Sequence, residues 1–237
     1  MKTLGIDLAS QPTNTASCLL EWHELIPRVV KIERCCTDAL LDSLAAEADA
    51  AGVDAPFGWP KSFRESVAAW TLSEWNDQLR DRLTLRLTDQ WVTAKIGLHP
   101  LRVSADRIAI PAMRAMALLH RHRVTDRSGP QSGKFFEVYP AASLKIWSLT
   151  QNSSYKGNKP NAPENRRQIL AGLSKRFHTT FPPEIAKDDN TLDALIAALT
   201  AHSAKTGKTF QPSPNEVKAA QSEGWIHIPS ECTPNNA

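Results

Sequence analysis

The 237-residue chain has no apolar stretch approaching the roughly 18 residues that cross a bilayer. Met1-Lys2-Thr3 runs into a strand-like segment rather than a signal-peptide core, so neither membrane insertion nor secretion is expected. Cysteine is scarce. Cys18, Cys35, Cys36 and Cys232 show no C-x-x-C spacing, and the adjacent pair cannot easily close a disulfide. Reduced thiols and a cytoplasmic setting are expected. Strong charge of one sign is also missing: the net charge of +3 tolerates a polyanionic partner but falls short of a dedicated basic domain. There is no G-x-S-x-G elbow, no Walker loop and no G-x-G-x-x-G turn. His99, His120 and His122 form no zinc-like set with the scattered cysteines.

What remains is ordinary globular material, 41% hydrophobic and 22% charged, in a chain long enough to bury its own core. One domain over residues 1–237 is the simpler expectation. Leu4, Ile6 and Leu8 alternate with Gly5 and Asp7, which predicts a first strand. Two more strands follow at 16–22 and 28–34, joined by short connections that imply an antiparallel meander. Thr37 is placed to cap a helix that Gly52 would stop, and a short strand through Val53 then ends at Asp54 in a Pro- and Gly-punctuated loop.

Ser62-Phe-Arg-Glu65 and Thr71-Leu-Ser-Glu74 have the form of capping boxes and predict helices, so an inserted helical region is expected over about 61–123. Residues 134–139 read as a strand with a short helix behind it, and residues 151–163 as a polar loop carrying Lys156 and Lys159. Helices are expected at 164–177 and 193–204, the latter packed on one face, and a closing strand at 223–229. This order predicts an α/β fold with a mixed sheet flanked by helices. Trp59, Trp70, Trp75, Trp91, Trp147 and Trp225 lie among apolar positions and are expected in the core.

A carboxylate inside an apolar strand is disfavoured and asks for a compensating partner. Asp7 is such a residue, either capping a turn at the strand end or binding a metal. Asp54 repeats the pattern, as a turn residue before Pro56 or as a ligand. Asp188 suits a helix cap, whereas Asp193 opens the apolar run of residues 194–199 and so would face neighbouring structure; Asp189 shares its helix face. Two strand ends and a helix start would together supply the hard oxygen ligands that Mg²⁺ or Mn²⁺ prefers, and metals so held activate water in phosphodiester hydrolysis. Glu137 is either a solvent-facing edge charge or a further ligand. Arg86, Arg102, Arg107, Lys156 and Lys159 are either solvated or grip phosphate.

Taken in series, Gly5-Ile-Asp-Leu-Ala9, Gly52-Val-Asp-Ala-Pro-Phe-Gly-Trp-Pro60, Arg86-Leu-Thr-Asp89, Val103-Ser-Ala-Asp-Arg-Ile-Ala109, Phe136-Glu-Val-Tyr-Pro-Ala141, Asp193-Ala-Leu-Ile-Ala-Ala198 and Glu223-Gly-Trp-Ile226 resemble the domain-of-unknown-function family 429 over nearly the whole chain. That family is described as ribonuclease-H-like nucleases. The resemblance implies a ribonuclease-H-like fold in which Asp7 is the first-strand acid, Asp54 the fourth-strand acid and Asp193 an acid on the last core helix, with Asp189 or Glu137 completing the set. Resolvases of this class carry two acids three residues apart at that helix, and here the earlier position is Asn190, so Asp189 would substitute. By the same resemblance the partner is DNA or RNA, the cofactor Mg²⁺ or Mn²⁺, and the assembly a homodimer. Two other functions fit this fold: a phosphotransferase or ATPase, for which Asp7-Leu-Ala-Ser10 lacks the expected glycine, and a non-catalytic nucleic-acid or protein-binding scaffold, which Asn190 favours.

Overall fold

The computed structural model describes residues 1–72, 74–149 and 154–230. Strand β1 (Lys2–Asp7) is central. It pairs antiparallel with β2 (Ala16–His23), which pairs antiparallel with β3 (Ile26–Arg34), giving the expected meander. The strand period of two puts Leu4 and Ile6 on one face of the sheet and Gly5 and Asp7 on the other. Thr37 caps α1 (Asp38–Glu47), its hydroxyl accepting from the Leu40 amide at 3.3 Å. Gly52 does not stop that helix. The chain turns extended at Ala48, and Gly52 lies inside β4 (Ala50–Asp54), parallel to β1 with Gly5 opposite Gly52 and Asp7 opposite Asp54.

Four helices, α2 (Lys61–Ala69), α3 (Asp77–Thr84), α4 (Leu87–Ile96) and α5 (Ala109–Arg121), intervene before β5 (Phe135–Val138), as the inserted helical region predicts. Neither expected capping box forms as such. Pro60, whose fixed φ suits a helix entry, precedes α2 and leaves Ser62 inside the first turn. Ser73 of the second box lies outside the described residues, and Asn76 instead caps α3 by accepting from the Leu79 amide at 2.8 Å. Two tryptophans are not core residues: Trp70 is 88% exposed and Trp75 69% exposed, because α2 buries none of its residues and the turn after it stands clear of the sheet. Trp147 and Trp225 are buried as expected.

The chain continues through α6 (Pro140–Ile146), α7 (Ala162–Arg176), α8 (Asp189–Lys205), α9 (Val217–Glu223) and β6 (Ile226–His227). Among the described residues the strands form one mixed sheet of order β3-β2-β1-β4-β5-β6, with β4, β5 and β6 parallel to β1. Helices α1 and α5 cover one face through Leu41, Leu44 and Leu118 against Leu4, Ile6 and Val53. On the other face α8 lies against the sheet, and Leu173 of α7 and Leu144 of α6 join the same core. Thirteen of the seventeen residues of α8 are buried, so this helix is enclosed nearly all round rather than packed on a single face.

Candidate metal centre

Why α8 approaches so closely is written in two glycines. A Cβ on Gly5 would run into the Ala194 carbonyl and the Ala198 amide, and one on Gly52 would run into the Ala197 carbonyl. The paired glycines therefore form a shallow bed in the middle of the sheet, and the first half of α8 rests in it. Two residues after each glycine, on the same face, come Asp7 and Asp54. Directly before Ala194 comes Asp193. The close packing of helix on strand thus delivers three carboxylates to one place.

Asp7, Asp54 and Asp193 each offer an oxygen within 4.8 Å of the other two. Asp193 is fully buried, and the other two are half-buried. Such crowding makes ionisation costly. Burial, then the charges of Asp193 and Asp54, hold the Asp7 carboxyl well above the usual carboxylate range. Burial raises Asp54 as well, to about 7, with Asp193 and Glu137 adding to the rise and Lys156 opposing it. Asp193 is raised chiefly by burial, against the pull of Lys156.

One short segment compensates this charge. The Tyr155 hydroxyl donates to Asp193 Oδ1 at 2.9 Å, the Lys156 ammonium pairs with Asp193 Oδ2, and the Gly157 amide donates to Asp189 Oδ2 at 3.1 Å. Asp193, Tyr155 and Asp54 keep Lys156 charged despite its burial, with a pKa well above the ordinary lysine value. The segment is itself held by Arg166 of α7, which donates to the carbonyls of Tyr155 and Gly157 and to those of Ala186 and Lys187 just ahead of α8. Asp7 and Asp54, by contrast, receive no hydrogen bond from any described residue.

A family model described as a protein of unknown function, DUF429, matches residues 5–217, a span that includes all three aspartates. The chain belongs to the DUF429 family. No match was found among curated proteins or among solved structures.

The other residues singled out from this DUF429 sequence lie elsewhere or act differently. Asp188 caps α8 by accepting from the Thr191 amide at 2.7 Å, as expected. Asp189, one residue on, is close enough to raise the Asp7 carboxyl but lies outside the set of three. Glu137 is neither a solvent-facing edge charge nor a fourth member. It sits on an inner strand beside Val53, one register position short of Asp54, so its side chain leaves the sheet on the opposite face. There it is buried against Arg86, at 2.8 Å, and accepts from the Phe57 amide at 2.8 Å.

Arg86 is correspondingly not on the surface, where gripping a substrate phosphate would require it. Its guanidinium is buried between Asp89 and Glu137 and also donates to the Glu223 carbonyl. The Glu223 carboxylate in turn accepts from the Lys61 and Leu87 amides. This DUF429 chain thereby locks the loop after Asp54 to α4, α9 and β5. Arg102 bonds Asp81 and Thr84 within the inserted helices, while Arg107 and Lys159 are exposed. Lys156 pairs with Asp193 itself. Tyr155, Arg166 and the two glycines escape a reading based on charge. The twice-occurring Gly-x-Asp at two strand ends was the available signal for the glycines.

Proposed function

We propose that the chain is a divalent-metal-dependent phosphodiesterase of ribonuclease-H-like build that acts on nucleic acid, with Mg²⁺ or Mn²⁺ held by Asp7, Asp54 and Asp193. The observation that carries this reading is the convergence of three carboxylates of which two have no hydrogen-bond donor among the described residues. The donor set fits such an ion: all its candidate ligand atoms are hard carboxyl oxygens, and a single ammonium faces three carboxyl groups. An antiparallel meander followed by parallel strands, with acids at the ends of β1 and β4, supports the fold assignment.

A divalent cation bound there supplies Lewis-acid polarisation of a phosphate and lowers the pKa of water. The chain's own residues do the rest. Tyr155 fixes the orientation of Asp193, leaving its second oxygen to Lys156. Lys156, on a segment pinned by Arg166, is a mobile point charge able to turn from Asp193 to a phosphate oxygen. Asp193 is fully buried, with Tyr155 and Lys156 on its two oxygens, which keeps bulk water from its inner side.

The reading is tested with single- and double-stranded DNA and RNA in Mn²⁺. Cleavage is expected for the wild type and should fall at least about 100-fold in Asp7→Asn and Asp54→Asn. No cleavage of any of the four substrates, or unchanged rates in both variants, would overturn it. One observation favours the non-catalytic reading instead: the Lys156 ammonium already neutralises part of the cluster. On that reading Mn²⁺ does not bind. The absence of glycine between Asp7 and Ser10 weighs against a phosphotransferase.

A further inference from the structure

On the far side of the loop that follows Asp54 lies a cavity of about 650 Å³, open to solvent and walled by α2, α9 and residues 125–127. Its lining carries Lys61, Arg64, Arg127 and Lys218 against a single carboxylate, Glu65. That excess equals the net charge of the whole chain, +3, so the remaining formal charges sum to zero.

The cations are not consumed by internal pairing. Arg127 makes no side-chain hydrogen bond or ion pair with any described residue, and burial together with the neighbouring Arg64 lowers its pKa. Asp126, the adjacent carboxylate, turns to Ser128 and Gln221 instead. Arg64 spends only Nε, on the Trp59 carbonyl, and Lys61 meets Glu65 at a loose 3.6 Å. Like charges gathered in a concavity without counter-charge raise the free energy of the empty site and lower it on anion binding.

The lining also says which anion. Ala219 is its one apolar residue and it holds no aromatic ring, so it offers a base no aromatic platform. Two forked guanidiniums and two ammoniums suit phosphate oxygens. Lys61 lies seven positions after Asp54, which puts their backbones at most about 25 Å apart, about seven base steps of duplex.

We infer that this pocket is a sequence-independent phosphate-binding site that holds the backbone of a nucleic-acid strand away from the bond being cut. The identity of the polyanion rests on the nuclease reading, whereas the phosphate chemistry does not. The test is fluorescence anisotropy of labelled single- and double-stranded 20-mers in EDTA, so that no metal is involved, over a series of salt concentrations. Arg64→Gln/Arg127→Gln is expected to weaken binding about tenfold, equally for all sequences, and to reduce the salt slope by roughly 1.5, as the loss of two phosphate contacts requires. Arg127→Lys, which keeps the charge, should retain most of the slope. Unchanged affinity and slope in the double variant would overturn the proposal, and so would displacement of the 20-mer by micromolar AMP or inorganic phosphate, which would mark a small-anion site. Mn²⁺-dependent cleavage is followed separately on the same proteins. Binding that depends on Arg64 and Arg127 without cleavage would sink the nuclease reading and leave the pocket standing.

Discussion

At the scale of single residues, the burial of Asp7, Asp54 and Asp193, and after it their mutual repulsion, works against folding, and the effect depends on pH in a definite direction. Asp54 titrates near 7 in the folded protein against 3.8 ordinarily. Between those values the folded state keeps a proton that the unfolded chain has released, so this group makes stability fall as pH rises from about 4 to about 7, with no further change above. Asp54→Asn removes the term. Its stability advantage over the wild type is therefore expected to grow from pH 4.5 to pH 7.5 in urea unfolding without metal; a constant difference would mean that burial and the neighbouring carboxylates do not raise Asp54. The three aspartates were legible in the sequence because an acid in an apolar strand, or opening an apolar helix, has no cheap explanation. Tyr155 was not. A lone tyrosine in a polar stretch carries no periodic signal, and only the fold shows that its hydroxyl reaches Asp193.

Among the elements, the decisive contact is α8 on β1 and β4. Gly5→Ala and Gly52→Ala each insert a methyl where backbone atoms of α8 already stand. Each is expected to destabilise the fold by about 1–3 kcal/mol or more in denaturant titrations, and to weaken Mn²⁺ binding out of proportion by moving Asp193 away. If Mn²⁺ affinity is unchanged in a folded Gly5→Ala protein, helix position does not govern the site. Most elements could be read from periodicity and punctuation, including the meander, the capped α1 and the helix through residues 193–204, though not the all-round burial of α8. The failures have local causes. Gly52 looks like a helix stop because glycine often is one, but here a bare backbone face is needed for α8. Trp70 and Trp75 look like core because tryptophan is apolar, yet the short α2 has no buried face to offer them.

For the molecule as a whole, a bound cation is linked to global stability. Mn²⁺ at a hundred times its dissociation constant should contribute about 2.7 kcal/mol, which for a chain of this size raises Tm by roughly 5–10 °C. The wild type is expected to show that rise and Asp54→Asn to lose it while melting higher than the wild type without metal. An equal response in both proteins would place the ion elsewhere. The overall topology has a further consequence in time. As the chain leaves the ribosome, β1 and β4 emerge long before α8, and Asp193 arrives only after the inserted helices, the Tyr155-Lys156 segment and α7 have been made. A nascent or truncated chain lacking α8 holds two of the three carboxylates but no place where they meet the third. The cluster is thus incomplete while the chain is being built, and the three carboxylates come together only when the last core helix settles into its bed of glycine.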